Sequence, residues 1–427
     1  MYINPEFKFD SKLVEVANKA ITKCKQQFDA AEEIAAFNSQ KVLAAFVKNR
    51  VSETHFTATT GYGYNDRGRE VLDAVYADIF KAESALVRHF MLSGTHALTV
   101  ALFGILRPGD TMLSVAGKPY DTLDGVIGLE GKEKGNGTLI DFGVNYAQVD
   151  LTAEKTVDFA ALEKALESKP KMVYIQRSRG YDTRASLTID VIEKIVDTTR
   201  RISPDSVVFV DNCYGAFVET KEPLEVGADI IVGSLIKNCG GAEALCGGYI
   251  AGRADLVELC SYRLTTPGLG SEIGASLGQN MSLFKGIYMA PKIVLEAVKT
   301  AIFTAALYQE LGYQCSPTYD EKRTDIVQQI IMNTPTGLVE FCRGIQALSP
   351  IDSYAAPEPY DMPGYTSQVI MAAGAFINGS SIELSADGPL REPFTVYMQG
   401  GTQFVNSAIA VINSAQKLIE AGELSLI

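Results

Sequence analysis

The chain has 427 residues, of which 47% are hydrophobic and 21% are charged, and its formal net charge of -13 gives a pI near 4.9. This length and composition are typical of a globular enzyme with two or more domains. The acidic charge argues against a nucleic-acid or anionic membrane partner, and no apolar run near 20 residues predicts a membrane-spanning helix.

Cysteine and histidine are sparse, and their spacing predicts neither a disulfide framework nor a metal site. The seven cysteines form no C-x-x-C pair, and the three histidines lack metal-ligand spacing. The N-terminal stretch MYINPEFKFDSKL has no charged segment followed by an apolar one, so no secretory signal is predicted. We therefore expect reduced thiols, no metal and a cytoplasmic location.

The first half of the chain predicts helices followed by alternating strands and helices. Residues 10–50 are rich in Ala, Leu, Lys and Glu with apolar spacings of three and four, which predicts helix. A Gly- and Tyr-rich loop follows, and the strands expected after it are SALVRHFML, DTMLSVA, KMVYIQ, SVVFVD, ADIIVGS and GGYIAG. Such alternation predicts an α/β fold, with a mostly parallel sheet buried between helices.

The C-terminal third predicts a second, smaller domain. Residues 282–313 have the composition of one or two long helices, and QVIMAAGAFINGSSIELSADGPLREPFTVYMQGG has that of strands and hairpins before a final helix. We predict an N-terminal helical arm over 1–55, a large domain over 56–300 and a small α+β domain over 301–427.

The first candidate binding element is the strand end in MLSGTHALTVALFG. Ligands of open α/β sheets bind beyond the carboxyl ends of strands. Here a strand ends at Ser93, Gly94 and Thr95, and a helix begins. The free N–H groups and dipole of a helix N-terminus suit a phosphate, and a plain N-cap is the alternative.

Two further strand ends carry a carboxylate and an amine. Asp211 ends the strand SVVFVD, where a buried carboxylate is costly unless it is paired; a turn-initiating Asp is the alternative. Lys237 follows the next predicted strand in IIVGSLIKNCGG. Desolvation is expected to bring its amine close to neutral, ready to act as nucleophile or base, and a lysine that reaches the surface is the alternative.

Together these three groups match the phosphate, the pyridine nitrogen and the aldehyde of pyridoxal 5'-phosphate (PLP). The phosphate would bind the helix N-terminus, and Asp211 would keep the pyridine nitrogen protonated, which makes the ring an electron sink. Lys237 would form a Schiff base with the aldehyde. The order of phosphate site, Asp and Lys along the chain is also the one expected.

Several motifs resemble known enzymes. SGTHAL, FVDNCYGAF and GSLIKN resemble the fold-type-I PLP-dependent enzymes. More closely, GYGYNDRGRE, IQRSRGYDTRASLTI, TTPGLGSEIGAS and REPFTVYMQGG resemble the methionine gamma-lyase-like family of aluminium resistance proteins, relatives of the cystathionine lyases, from about residue 30 onward. The resemblance implies the fold-type-I architecture, with a seven-stranded sheet in the large domain, and a PLP-dependent carbon–sulfur lyase.

The resemblance also implies roles for single residues at the cofactor. Lys237 is similar to the Schiff-base lysine and Asp211 to the partner of the pyridine nitrogen. Tyr120 is similar to a tyrosine that stacks on the cofactor ring, with a buried loop aromatic as the alternative. The positions implied for the phosphate are Ser93, Gly94, Thr95 and Ser234.

The loop YNDRGRE implies an oligomer. Tyr64 and Arg67 resemble a Tyr–Arg pair that reaches the cofactor phosphate of the neighbouring subunit, and solvated arginines in a Gly-rich loop are the alternative. The resemblance therefore implies a homodimer with shared active sites, assembled further into a homotetramer.

Three arginines are candidates for contacts with the substrate or cofactor. A carboxylate is best bound by a forked donor, and Arg391 in GPLREPFTV resembles the arginine that binds the substrate carboxylate, with a solvated hairpin arginine as the alternative. In QRSRGY, Arg177, Ser178 and Arg179 are candidates to touch the substrate or the phenolic oxygen of the cofactor.

The segment after Lys237 departs from the pattern NPGGGxAPTGGYIAG of the family. It is NCGGAEALCGGYIAG, with Cys239 in place of Pro, which puts the local loop geometry in doubt. We interpret Cys239 and Cys246 as packing thiols, because no histidine lies near them in sequence.

The expected reaction is elimination of a thiol from a sulfur amino acid, in which Lys237 removes the Cα proton and a 2-oxo acid and ammonia are formed. An aminotransferase or aldolase on the same cofactor and a non-catalytic PLP-binding regulatory protein are the alternatives. The sequence does not distinguish β- from γ-elimination, because one methylene changes binding by only about 1–3 kcal/mol.

Overall fold

A computed structural model describes residues 2–129, 135–362, 365 and 367–426. The chain forms two compact units, one made of Phe37–Ala290 and the other of Met1–Ala36 together with Pro291–Ile427. The domain limits expected from the sequence, at residues 55 and 300, stay a prediction. None of the helices in the described ranges is long and apolar enough to cross a membrane.

The elements are numbered in chain order. The strands are β1 (Ser84–Arg88), β2 (Thr111–Ser114), β3 (Asn145–Gln148), β4 (Met172–Gln176), β5 (Val207–Asp211), β6 (Ile230–Ser234), β7 (Gly248–Gly252), β8 (Gln314–Ser316), β9 (Gln328–Ile331), β10 (Val369–Ala372), β11 (Ser385–Pro389) and β12 (Thr395–Gln399). The helices are α1 (Ser11–Lys23), α2 (Lys25–Lys48), α3 (Arg67–Phe80), α4 (Gly94–Ile105), α5 (Asp121–Ile127), α6 (Phe159–Leu166), α7 (Ile189–Ile202), α8 (Ala254–Leu264), α9 (Asn280–Glu310), α10 (Pro335–Ala347) and α11 (Phe404–Glu420). Short 3-10 turns cover Glu53–Phe56, Pro223–Val226, Asn238–Gly240 and Gly270–Glu272.

The unit 37–290 is built on a seven-stranded sheet in the order β1-β7-β6-β5-β4-β2-β3. Strands β2 to β6 run parallel, and β7 is antiparallel to both of its neighbours, β6 and β1. Every residue of β4, β5, β6 and β7 is buried, as expected for apolar strands covered on both faces. The predicted fold class is confirmed, and β1 points the same way as β6 because β7 reverses between them.

Apolar side chains at helical spacing hold the helices against this sheet. On α7, Ile192, Ile195 and Val196 are buried on one face, at intervals of three and one. On the side of α4 and α8, Leu102 and Cys260 are fully buried in one core cluster with strand residues. Each such aliphatic side chain stabilises the fold by roughly 1.5–3 kcal/mol when it leaves water.

The smaller unit carries a five-stranded sheet in the order β10-β11-β12-β9-β8, in which every pairing is antiparallel. Helices α10 and α11 belong to the same unit. The α+β character predicted for the C-terminal part of the chain is thus confirmed. The hairpin that joins β11 and β12 includes Arg391.

Some boundaries and short elements differ from the sequence-based expectation. The helix expected over 10–50 is interrupted at Cys24, and the long apolar stretch near 290 forms one helix, α9, that continues through Pro291. The strand β3 was not predicted because it is a partly exposed edge strand with the sequence NYAQ. The helix α5 was missed because seven residues give too short a pattern for a 3.6-residue period.

Candidate active site

The predicted cofactor residues converge at one edge of the large sheet. Strands β1, β2, β4, β5 and β6 all end at this edge because they share one direction. The candidate residues that lie at or just after these ends are Ser93, Gly94, Thr95, Tyr120, Asp211, Ser234 and Lys237. The edge therefore brings together groups that are far apart in sequence.

The N-terminus of α4 forms one side of the site. Ser93 is the N-cap, and its Oγ accepts the His96 N–H at 3.1 Å. Helix geometry leaves the N–H groups of Gly94 and Thr95 pointing out of the first turn. The Thr95 hydroxyl is within 3.0 Å of that of Thr122. The backbone, rather than the Ser93 hydroxyl, is thus what this helix offers to an anion.

Gly94 lies tightly against Ser234 and Cys213. A methyl group on Gly94 would be 3.2 Å from Cβ of Ser234 and 3.1 Å from Sγ of Cys213. Ser234 is buried at the end of β6, and its Oγ accepts the Ile236 N–H at 3.3 Å. The close approach places the helix N–H groups and the Ser234 hydroxyl around one space, which we call the cradle. Its size depends on position 94 being glycine, because any side chain there would narrow it.

Asp211 is a buried carboxylate at the last position of β5. Its Oδ1 accepts the Cys213 N–H at 3.1 Å, and its Oδ2 is 3.4 Å from the Tyr174 hydroxyl. Burial, and next the charge of Asp211, raises the pKa of Tyr174 well above its usual value. Tyr174 is therefore protonated at neutral pH and donates to Asp211, so the carboxylate is held in a fixed orientation.

Lys237 lies three residues after β6 and is only partly exposed. Its Nζ is 3.8 Å from the centroid of the Tyr214 ring. Burial lowers the pKa of Lys237, but Tyr214, Cys213 and Asp211 together raise it above its usual value. The expectation that desolvation brings this amine close to neutral is thus wrong, because the neighbouring groups outweigh burial.

Tyr120 is fixed at the same edge by its backbone and ring. Its N–H donates to Oε1 of Gln176 at 2.6 Å, and its ring packs edge-on against Tyr181 at 5.6 Å. A side chain on Gly180 would come within 2.8 Å of the Tyr120 ring, and the φ of +60° at Gly180 also favours glycine. The ring is thus held by the residues that follow β4.

Arg177 occupies a different environment from the one predicted. Its guanidinium is fully buried, donates to Oδ1 of Asn212 at 2.8 Å and to Oε1 of Glu219 at 3.2 Å, and lies 3.5 Å from Oε2 of Glu222. This charge is already balanced by two carboxylates, so the geometry favours a structural role in the turn after β5 over a substrate contact. Ser178 is buried as well, and its carbonyl accepts from Nε2 of Gln176 at 2.9 Å.

Tyr64, on the loop before α3, and Arg67, the first residue of α3, are exposed on the surface of their unit. Tyr64 is 52% exposed, and its ring stacks on that of Tyr62 at 5.4 Å. Beneath the loop, the buried Arg69 donates to the carbonyls of Gly63 and Gly274, each at 2.9 Å. The exposed side chains are thus presented by a backbone that is fixed from inside the unit.

Arg391 and Arg179 are the two remaining candidates. Arg391 is exposed in the turn between β11 and β12 of the smaller unit, where Phe394 N–H donates to its carbonyl at 2.8 Å. Its predicted role stays a prediction. Arg179 is buried, and its N–H donates to Oγ of Ser186 at 3.1 Å.

The sequence did not single out several residues that shape the site. Gln176 and Tyr174 orient Tyr120 and Asp211, and Cys213 and Tyr214 follow Asp211 in the same turn. A signal was available for Gln176, because a polar residue that ends an otherwise apolar, buried strand needs a partner. The contact of Tyr214 with Lys237 depends on the fold and has no local signal.

The chain is similar to known proteins along most of its length. The family model described as methionine gamma-lyase matches residues 13–419. The uncharacterized protein YnbB of Bacillus subtilis (strain 168) is 47% identical over 389 residues, which cover 91% of this chain and 92% of that protein. L-methionine gamma-lyase of Pseudomonas putida is 26% identical over 232 residues, which cover 53% of this chain and 51% of that enzyme.

Solved structures show the same architecture. The crystal structure of a carbon–sulfur lyase involved in aluminum resistance from Clostridium novyi NT is 49% identical, with a TM-score of 0.92 over 96% of both chains. The PLP-dependent protein YhfS of Escherichia coli is 16% identical, with a TM-score of 0.61 over 91% of this chain and 97% of that one, and shows the fold alone. These matches identify the fold as that of the fold-type-I enzymes.

Proposed function

Because the chain belongs to the methionine gamma-lyase family, we propose that it is a PLP-dependent carbon–sulfur lyase that acts on a sulfur amino acid. The family resemblance predicted from the sequence motifs is confirmed by this match and by the similar structure from Clostridium novyi. One observation carries the proposal: the N-terminus of α4, the Asp211 carboxylate and the Lys237 amine lie at the same edge of one sheet.

The residues present fit this cofactor. The N–H groups of Gly94 and Thr95 and the hydroxyl of Ser234 would hold the phosphate, since they form a cradle that a methyl group on Gly94 would narrow. Asp211 would face the pyridine nitrogen, and Lys237 would bond to the aldehyde carbon. The phosphate, the pyridine nitrogen and the aldehyde of PLP are thus each matched by a protein group of suitable charge or reactivity.

The reaction follows from what these side chains do to protons. When bound, PLP would supply a cationic ring as the acceptor for the electron pair left at the substrate Cα. Asp211 keeps the proton on the ring nitrogen, because a nearby negative charge favours the protonated form. Nζ of Lys237 takes the Cα proton as general base, and the surroundings that raise its pKa favour the ammonium that results.

Elimination then breaks the bond between carbon and sulfur, and sulfur leaves with the bonding electrons as a thiol once protonated. Water converts the unsaturated amino acid into a 2-oxo acid and ammonia. Tyr120, held by Gln176, would stack on the cofactor ring and fix its plane. Arg391 would bind the substrate carboxylate through its forked donors, whereas Arg177 is already paired with Glu219.

The proposal includes an oligomer with shared active sites. The exposed Tyr64, on a loop fixed by Arg69, and the exposed Arg67, at the start of α3, would reach the cofactor phosphate of a second subunit. A homodimer would then be the smallest active form, and two such dimers would form a homotetramer. A symmetric dimer is the commonest form among soluble homo-oligomers.

The purified, PLP-loaded protein should be incubated separately with cystathionine, cysteine and methionine. We expect 2-oxo acid, ammonia and thiol in equal amounts from at least one of them, and none from the Lys237→Ala protein. A 2-oxo acid that forms without ammonia, and only when a second 2-oxo acid is supplied, would identify an aminotransferase instead. Absence of product from all three substrates would contradict the proposal.

A further inference from the structure

Tyr214 makes a direct contact with Lys237. The Lys237 Nζ lies over the face of the Tyr214 ring, 3.8 Å from its centroid. Tyr214 is partly exposed and follows Asp211 by three residues in the turn after β5. An ammonium over an aromatic face is attracted by the quadrupole of the ring, more strongly when water is excluded.

The turn that carries Tyr214 is tied to the backbone around Lys237. Asn238, the next residue after Lys237, is fully buried, and its Nδ2 donates to the carbonyls of Tyr214 and Ala216, each at 2.9 Å. Asn38 in α2 likewise donates to the carbonyls that follow, those of Phe217 and Glu219, at 3.1 Å. Tyr214 and Lys237 are thus fixed relative to each other by side-chain bonds to the main chain, and their contact does not depend on flexible side chains alone.

We propose that Tyr214 is a positioning residue that holds the Lys237 amine at the carboxyl edge of the sheet, through the face of its ring. This inference rests on the proposed function, in which Lys237 bonds to the cofactor and later takes a proton. Each time Lys237 is released it has several rotatable bonds, and the Tyr214 ring limits where its charged end can lie. The same contact stabilises the ammonium over the neutral amine.

The effect of the Tyr214 ring on the proton equilibrium of Lys237 can be separated from the effects of the other neighbouring groups. The groups that raise the pKa of Lys237 are Tyr214, Cys213 and Asp211. Burial raises the pKa of Cys213, so this thiol is protonated at neutral pH. Asp211 is unchanged by a substitution at 214. Loss of the ring should therefore shift the proton equilibrium of Lys237 by about 3- to 30-fold toward the neutral amine.

The test measures how fast the amine bonds to added PLP, through the visible absorbance of the product, as a function of pH. In Tyr214→Leu we expect the midpoint of this profile to fall by about 0.5 to 1.5 pH units, because the neutral amine is the nucleophile. We also expect a lower limiting rate at high pH, because the amine is less well placed. Tyr214→Phe keeps the ring and loses the hydroxyl, so the midpoint of its pH profile should lie between those of wild type and Tyr214→Leu. Tyr262→Leu on α8 is the matched control and should behave as wild type.

A second set of variants keeps the shape of the aromatic side chain at position 214, in case Tyr214→Leu does not fold. Phenylalanine with one, two or three fluorine atoms at position 214 weakens the ring quadrupole stepwise, and the midpoint should fall in the same order. A midpoint and limiting rate that are unchanged along this series would overturn the inference. If wild-type protein itself forms no bond with PLP, the proposed function fails instead, so the two failures are distinguishable.

Discussion

Gln176 and Asp211 lie directly opposite each other, as the last residues of the adjacent parallel strands β4 and β5. Gln176 accepts the N–H of Tyr120, and Asp211 accepts from Tyr174 and from the Cys213 backbone. Since neighbouring strands are about 4.8 Å apart, one step across the sheet connects the aromatic residue proposed to stack on the cofactor with the acid proposed to face its nitrogen. The sheet register therefore fixes the relative position of these two groups.

Replacement of Asp211 by Asn should abolish most of the activity while the local structure is kept. Asn retains an oxygen for the Cys213 N–H but has no negative charge to hold a proton on the ring nitrogen. We expect kcat to fall by about 10²- to 10⁴-fold, measured as 2-oxo acid formation. Tyr174→Phe removes one long hydrogen bond and leaves the carboxylate, so it should cost less than about tenfold. Asp211→Asn activity within tenfold of wild type would contradict the role of Asp211.

Replacement of Gly94 by Ala should weaken binding of the cofactor. The added methyl group would lie 3.1 Å from Sγ of Cys213 and 3.2 Å from Cβ of Ser234, so the cradle has to shift. We expect the Kd for PLP, measured by titration of protein absorbance, to rise about tenfold or more, which corresponds to about 1.4 kcal/mol. In the Gly94→Ala, Cys213→Ala double variant the sulfur contact is gone, and part of the affinity should return. A Gly94→Ala protein that binds PLP like wild type would show that the phosphate does not lie against this helix.

Replacement of Arg177 by Met should destabilise the fold rather than alter substrate affinity. It leaves Glu219 and Glu222 buried without their cation, which costs about 3–5 kcal/mol in the free energy of unfolding. Denaturation with urea measures this loss. Arg391→Met, at an exposed position, should change the free energy of unfolding by less than about 0.5 kcal/mol and should raise KM instead.

The decrease in the free energy of unfolding caused by Arg177→Met should depend on pH. Burial raises the pKa of Glu222 even beside Arg177, and removal of the cation raises it further. A carboxyl group whose pKa is higher in the folded than in the unfolded state favours folding below the unfolded pKa, and that contribution is lost as pH rises through the folded pKa. The difference in the free energy of unfolding between wild type and Arg177→Met should therefore be smaller at pH 5 than at pH 7. An equal deficit at both pH values would show that Glu222 does not carry the effect.

Shared active sites can be tested by mixing two inactive proteins. Arg67→Ala should remove a phosphate contact given to the other subunit, and Lys237→Ala removes the covalent anchor. In a hybrid dimer, one of the two sites receives both wild-type residues, so random mixing after reversible dissociation should restore about a quarter of wild-type activity. Recovery should be absent when either variant is mixed with itself. No recovery in a mixture that demonstrably exchanges subunits would show that Arg67 does not complete the Lys237 site of a second subunit.

The sequence predicted which groups of this site lie at or just after strand ends. Asp211 and Lys237 were singled out because polar residues at or just after the ends of buried apolar strands in a parallel sheet meet at one edge. Gly94 was singled out because it begins a helix after a predicted strand; the strand itself ends earlier, at Arg88. These inferences need only the local pattern and the rule that parallel strands share a direction.

The remaining features depend on contacts between residues distant in sequence. Arg177 has the sequence context of a site residue, but its partner Glu219 is 42 residues away, and only the fold shows that its charge is neutralised. The raised pKa of Lys237 likewise comes from side chains that reach it from the end of another strand. Composition and spacing predict where a lysine lies, whereas its proton affinity depends on which groups surround it in three dimensions.

The most direct test of the central claim is to identify the lysine that bonds to PLP. The protein should be incubated with PLP, reduced with borohydride to make the bond permanent, digested and analysed by mass spectrometry. The proposed site predicts a single pyridoxyl group on the peptide that contains Lys237, and no label in Lys237→Ala. A label on another lysine, or none on the wild-type protein, would contradict it.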